Sequence, residues 1–298
     1  VNSPTTVTLV HVSDLHLGRD ANLAQLAAVE RQVPALAPTA IIVSGDLTQR
    51  ARHGEFVAAR RWLDRLAATA PLLAVPGNHD VQWFESPFWI LGRERMYVKY
   101  RHWINADLTP TLRVPGAVIA SALTSHGVCF PSMTPNLNDM AVKGHLPLHE
   151  VERVARVFEA VAPGDARVVV LHQNVLRGKI SQRMGLSRWK TAQERLAALK
   201  PDVILCGHDH EEQAELLGER VVVSTASTLT HRTRGHQPQV FNVVRIGAEA
   251  IEVEFWRWAG AAFVAAETAT FGRSDVRTSG HWNMEASRRP GVQASDSA

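Results

Sequence analysis

The stretch Val7-Thr8-Leu9-Val10-His11-Val12-Ser13-Asp14-Leu15-His16 decides the fold. Val7–Ser13 reads as a buried strand, and it runs straight into two polar side chains able to hold a metal. The same arrangement recurs four times. Ala40–Ser44 leads into Gly45-Asp46, and Leu72–Val75 into Pro76-Gly77-Asn78-His79-Asp80. Val168–Leu171 leads into His172, and Val203–Cys206 into Gly207-His208-Asp209-His210. Between the first three strands lie two segments with apolar residues at helical spacing. Asn22–Leu36 carries Leu23, Leu26, Ala27, Val29 and Val33, and Glu55–Ala68 carries Phe56, Ala59, Trp62, Leu63 and Leu66. Strand–helix–strand–helix–strand implies parallel strands joined by right-handed crossovers. Such a sheet gathers its binding loops at the carboxyl ends of the strands.

Further along, Val118–Thr124 and Val221–Ser224 read as strands and Leu148–Val161 as a helix. Val240–Ile246 and Ile251–Trp258 read as a hairpin turning at Gly247-Ala248. This late antiparallel part predicts two sheets packed together in an α/β protein. We expect one domain over residues 1–272, with 81–110 as an aromatic-rich insert and candidate lid. Apolar content falls after Gly272, so 273–298 is expected to be a mobile tail. No internal repeat is apparent.

The 298 residues are 45% hydrophobic and 20% charged, ordinary values for a globular protein. A formal charge of +3 permits an anionic substrate without calling for a nucleic-acid groove. Two distant cysteines, Cys129 and Cys206, fit a reducing compartment better than a disulfide framework. Val1–Thr8 lacks a charged n-region followed by an apolar one, and no apolar run is long enough to span a bilayer. The expected location is the cytoplasm, although a leader could precede a chain that starts at Val.

Asp14 and His16 stand two apart, so on a strand both would point one way and reach one ion. Asp46, at the end of the neighbouring strand, is placed to bridge two ions, and Gly45 lets the backbone turn there. Asn78 can ligate through its amide oxygen without adding charge, while His79 is free to face a substrate. His172 ends another strand. His208 and His210 repeat the two-apart spacing, with Asp209 facing the other way. Seven N/O ligands without a thiolate suit Mn, Fe or Zn. Two such ions over one phosphate make a hydrolytic site.

As a set in this order, the motifs resemble the calcineurin-like metallophosphoesterase superfamily, with its D-x-H, G-D, G-N-H-D/E, H and G-H-x-H. The match covers Asp14 to His210, about two-thirds of the chain. The resemblance implies a four-layer α/β/β/α sandwich of two packed mixed sheets flanked by helices. It implies one divalent metal on Asp14, His16, Asp46 and His210, and a second on Asp46, Asn78, His172 and His208. It implies in-line attack by a metal-bridging hydroxide, with His79 stabilising the developing charge and protonating the leaving oxygen.

Departures narrow the branch. Gly45-Asp46-Leu47-Thr48-Gln49-Arg50 lacks the second Asp of the protein-phosphatase motif. His79 stands where the lipid A pathway pyrophosphohydrolases carry Arg. The chain looks most like the bacterial class III cyclic-nucleotide phosphodiesterases, although Leu171-His172-Gln173-Asn174 departs from their H-H-P-P. The expected activity is hydrolysis of a small phosphodiester such as a 3′,5′-cyclic nucleotide. The alternatives are a nuclease, a phospholipid or lipid-linked diester hydrolase, and a non-catalytic scaffold. A homodimer is compatible with the sequence. Substrate contacts are expected from Arg19, Asn174 and Arg177, and from the basic run Asn174–Lys190. The aromatic stretch Trp83–Trp103 reads as a core-packing helix or a wall over the site.

Overall fold

The computed structural model describes residues 6–18, 21–82, 85–86, 88, 90–129, 142–224, 227–230 and 233–273. Strand β1 (Val7–Val12) leads to helix α1 (Leu23–Gln32), β2 (Ala40–Val43), α2 (His53–Ala67) and β3 (Leu72–Ala74). Helix α3 (Val98–Trp103) and strands β4 (Thr111–Val114) and β5 (Ala117–Ser121) follow, then α4 (Leu148–Glu159) and β6 (Ala166–Val170). Next come α5 (Trp189–Ala198), β7 (Val203–Cys206), β8 (Gln213–Leu217) and β9 (Arg220–Ser224). The chain closes with β10 (Val240–Ile246), β11 (Ala250–Trp258) and β12 (Phe263–Gly272).

These strands form two six-stranded sheets, ordered β12-β11-β10-β1-β2-β3 and β4-β5-β6-β7-β9-β8. β1, β2 and β3 are parallel, and β10, β11 and β12 add antiparallel strands beside β1. In the second sheet β5, β6, β7 and β9 are parallel, flanked by antiparallel β4 and β8. Both sheets are mixed, as expected.

Three apolar clusters define four layers. Leu9, Ile42 and Val244 of the first sheet meet Ile119, Val168, Leu205 and Val223 of the second. On the outer face of the first sheet, Val10, Val12, Ile41 and Val43 pack with Val29 of α1 and Phe56, Trp62 and Leu66 of α2. On the outer face of the second, Val118, Val169 and Ile204 pack with Val154 and Phe158 of α4 and Leu196 of α5. The α/β/β/α sandwich is therefore present.

The predicted face of α2 is buried in full: Phe56, Ala59, Trp62, Leu63 and Leu66. Phe56 is fully buried and meets the Tyr100 ring edge-on at 6.4 Å. Phe56→Ala is expected to cost about 3–5 kcal/mol, the usual range for an emptied aromatic core site. Chemical denaturation would read it as a lower midpoint with an unchanged slope.

The first helix needs correction. It ends at Gln32, and Pro34 forces a short 3₁₀ turn over Val33–Leu36 in place of the predicted continuation to Leu36. Asn22 caps it by accepting from the Ala24 and Gln25 amides, which leaves Leu23 at the helix start. Leu23 is 76% exposed, and Gln25, Ala28 and Val29 hold the buried face.

In the aromatic middle, Tyr97 and Tyr100 are buried and Trp103 packs against the first outer core. The Tyr97 hydroxyl donates to the Ser125 carbonyl at 2.6 Å. Trp83, Phe84 and Trp89 lie outside the described residues, as do Arg19 and residues 274–298. Arg273, the first residue of the expected tail, is anchored: its Nε bonds Asp202 at 2.9 Å and its Nη1 the Gly247 carbonyl at 2.9 Å. Both cysteines are buried free thiols. No helix among the described residues is long and apolar enough to cross a membrane.

Candidate metal centre

The five motifs meet at the carboxyl ends of β1, β2, β3, β6 and β7, two strands or more from each sheet. The loops after β1 and β2 are tied together by backbone. Asp14 N donates to Gly45 O at 3.0 Å, His16 N to Asp46 O at 2.9 Å and Leu17 N to Leu47 O at 2.8 Å.

This corrects the same-face argument for Asp14 and His16. Both lie beyond the end of β1 and take positive φ, 52° and 43°. Asp46, His208 and His210 do likewise, at 51°, 78° and 57°. The paired residues converge because left-handed turns aim them, and not because an extended strand alternates. Non-glycine residues in this region store local strain, which clusters at functional sites. Glycines leave room for the convergence. Gly45 has φ 102°, and a Cβ there would stand 2.6 Å from His172 Nδ1. A Cβ on Gly207 would stand 2.0 Å from Ser13 Oγ and 2.3 Å from Asp14 Oδ2.

Two clusters of N and O side-chain atoms result, and Asp46 touches both. In the first, one ligand atom from each of Asp14, His16, Asp46 and His210 lies within 4.8 Å of all the others. His16 Nε2 and His210 Nε2 are 3.1 Å apart, and His210 Nε2 is 3.2 Å from Asp14 Oδ1. In the second, His172 Nε2 lies 3.3 Å from Asp46 Oδ2 and 3.1 Å from Asn78 Oδ1. His208 Nδ1 lies 2.9 Å from Asn78 Oδ1 and 3.3 Å from His172 Nε2. Asp46 Oδ2 is also 3.8 Å from His16 Nε2, so one carboxylate oxygen faces both sets.

Surrounding groups fix these side chains. His172 donates from Nδ1 to the Ser44 carbonyl at 2.8 Å, which leaves Nε2 for the cluster. The Ser44 hydroxyl is held in turn by His11 Nε2 at 2.8 Å. The Asp14 carboxylate accepts the His208 amide at 3.1 and 3.0 Å. The Ser227 hydroxyl donates to the Asp14 carbonyl at 2.6 Å.

Burial pushes the His16 and His208 imidazoles down to about 3, so both are neutral donors. Burial alone would raise the Asp14 and Asp46 carboxyls. The neighbouring histidines, His210 and His172 foremost, outweigh it and hold both below the usual carboxylate range. For His172 burial works downward, but the Asp46 carboxylate prevails and carries it up to about 9. Without a cation, His172 and Asp46 therefore form a buried imidazolium–carboxylate pair.

His79 sits beside the cluster with its ring 4.7 Å from that of His16, edge to face. Its Nδ1–H donates to the Gln49 carbonyl at 2.7 Å, and its backbone amide donates to Asp46 Oδ1 at 2.8 Å. Nε2 is the nitrogen left over.

The structure thus brings Asp14, His16, Asp46, Asn78, His79, His172, His208 and His210 together. Asn174 and Arg177 belong to neither set; they line a cavity to which His208 also contributes. The Asn174 amide is spent on its own loop, donating to the Leu176 carbonyl at 2.9 Å and the Arg183 carbonyl at 3.3 Å.

Asp80 was given no role from sequence. It is fully buried and its carboxylate accepts from the amides of Leu47 (3.0 Å), Thr48 (2.8 Å) and Gly77 (2.9 Å) and the Thr48 hydroxyl (2.9 Å). It pins the loop after β3 to the loop after β2. Its place at the end of Gly77-Asn78-His79-Asp80 was a usable signal, because Asp often satisfies turn amides. Burial first, then the Asp46 charge, raise its carboxyl to about 6 against those donors. Asp80→Ala is expected to leave these amides unpaired and cost about 1–3 kcal/mol or more. Thermal denaturation against the native protein would measure it.

A model of the calcineurin-like phosphoesterase family matches residues 7–212. The chain belongs to the calcineurin-like phosphoesterase family. The matched span takes in all five motifs. This calcineurin-like phosphoesterase shares its fold with solved structures of distant sequence. Purple acid phosphatase PPD1 from yellow lupin (Lupinus luteus) seeds matches with a TM-score of 0.68 and 12% identity, over 99% of this chain and 58% of its own. A dimetal phosphatase from Danio rerio matches with 0.58 and 12%, over 90% and 99%. PhoD matches with 0.63 and 9%, over 92% and 71%. At these identities the likeness is one of fold. The chain spans 58% of the length of the lupin enzyme. No curated protein sequence matches.

Proposed function

We propose that this calcineurin-like phosphoesterase is a dinuclear-metal-dependent phosphodiesterase for a small diester, nearest in kind to the class III cyclic-nucleotide enzymes. The supporting observation is the pair of four-residue N/O donor sets that share Asp46. The donors suit divalent Mn, Fe or Zn: imidazole nitrogens aimed by their neighbours, two carboxylates held ionised and one amide oxygen. Asp14, His16, Asp46 and His210 would hold one ion, and Asp46, Asn78, His172 and His208 the other. When bound, two such ions neutralise phosphate oxygens and make a coordinated water acidic enough to attack near neutral pH.

The chain's own residues then account for orientation and proton delivery. The Gln49 carbonyl fixes the His79 tautomer so that Nε2 faces the reaction. As a general acid, His79 would pass a proton from Nε2 to the leaving oxygen as the P–O bond to that oxygen breaks. Water supplies the new P–O bond, so one diester and one water give a monoester and an alcohol. Asp80 keeps the loops bearing Asp46 and His79 in register. Asp14, His16, Asp46 and His172 are buried, which strengthens their fields.

The Mn-loaded protein is expected to hydrolyse bis-p-nitrophenyl phosphate faster than p-nitrophenyl phosphate. Monoester cleavage without diester cleavage would refute the diesterase reading. Failure to cleave either, with two metals bound, would turn the proposal towards a scaffold.

A further inference from the structure

The cavity that opens against His208 has a volume of about 320 Å³, at the small end of ligand pockets. Four cations line it, Lys143, Arg177, Arg183 and Arg234, with Asp209 the one carboxylate among its lining residues. They come from three separate stretches: the approach to α4, the loop between β6 and α5, and the approach to β10. The Asp209 carboxylate is already engaged. It accepts from the Ser181 hydroxyl and lies 3.9 Å from Arg234 Nη2.

A solvated charged loop would be loosely held, and this one is pinned. The Gly178 amide donates to the Arg183 carbonyl at 3.0 Å, and the Gln182 amide to the Gly178 carbonyl at 3.1 Å. The Glu211 carboxylate, one residue past His210, accepts the Ile180 amide at 2.9 Å and the Ser181 amide at 2.5 Å. Arg234 is tied to the loop after β7, its Nε donating to the Asp209 carbonyl at 3.2 Å. The loop backbone that carries Arg177 and Arg183 is therefore held in place, and both residues line one cavity with His208 and Trp189.

We propose that this cavity is a subsite for a second phosphate, and that the preferred substrate is a small phosphodiester carrying two phosphoryl groups. The inference rests on the phosphodiesterase reading above and names its substrate class. Guanidinium forks match phosphate oxygens in pairs, and several cations around one pocket suit a dianion. A cyclic mononucleotide has one phosphate. With that phosphate on the donor cluster, the four cations of this cavity would face no phosphate.

The test uses two esters with one leaving group: the p-nitrophenyl ester of adenosine 5′-monophosphate, and the same ester carrying a 3′-phosphate. The Mn-loaded protein is expected to favour the second in kcat/KM by about ten-fold or more, mainly through KM, the scale of one charge-assisted contact. In the double variant Arg177→Ala/Arg234→Ala the ratio should fall towards one. A ratio near one in the native protein, or the same high ratio in the variant, would overturn the subsite.

A binding measurement separates this from failure of the phosphodiesterase reading. EDTA-treated protein is titrated calorimetrically with adenosine 3′,5′-bisphosphate and with adenosine 5′-monophosphate. Tighter binding of the bisphosphate that the double variant loses supports the subsite even if neither ester is cleaved. Equal binding of the two ligands contradicts it.

Discussion

Asp46→Ala is expected to leave the protein without tightly bound metal and to lower diester turnover by about 10³-fold or more. That is the upper scale for losing one preorganised electrostatic partner, and Asp46 serves two donor sets at once. Its Oδ2 faces His172 at 3.3 Å and His16 at 3.8 Å, and its Oδ1 accepts the His79 amide at 2.8 Å. Removal also leaves His172 without the carboxylate that holds it protonated in the metal-free chain. Asp46→Asn keeps the volume and serves as the control for folding. Metal analysis after gel filtration should give two ions per native chain and close to none for the Ala variant. Two tightly retained ions in Asp46→Ala would refute the shared position.

The second large effect separates catalysis from metal binding. His79→Ala is expected to keep both metals and to lose about 10²–10⁴-fold in kcat, the usual worth of a positioned general acid. His79 makes its side-chain contact to the Gln49 carbonyl and stands next to the donors without joining either set. KM should change less than kcat, because the proton moves as the leaving group departs. A variant with normal turnover would remove His79 from the mechanism. A variant that had lost its metals would move it into the donor set.

Much of this was legible in the sequence for one physical reason. Strands buried on both faces read as apolar runs, and here such runs end abruptly in Asp, Asn or His. Val203–Cys206 and Val240–Ile246 match their predicted bounds, and β1, β2 and β6 differ by a residue or two. The same logic failed at the margins of the sheets. β4, β8 and β12 were not anticipated, and all three are edge strands. An edge strand buries little: Phe263–Gly272 is exposed along most of its length, and past Ala266 its residues are mostly Thr, Glu and Ala, so no buried apolar run spans it.

At the site, the residue types were legible and the reason they converge was not. Spacing suggested strand alternation for Asp14 with His16 and for His208 with His210, whereas left-handed turns aim them. The Gln49 and Ser44 carbonyls that orient His79 and His172 are backbone groups, which no side-chain pattern reports. Lys143 and Arg234 reach the basic cavity from distant stretches, so only the fold brings them beside Arg177. Arg177 alone lies close to His172 along the chain, five residues on.

The central claim is that one carboxylate joins two metal positions, and electron paramagnetic resonance of the Mn-loaded native protein tests it most directly. Two Mn ions sharing Asp46 should give the broadened multiline spectrum of a spin-coupled pair at about two ions per chain. A plain six-line signal of isolated Mn, unchanged from one equivalent to two, would contradict the shared site.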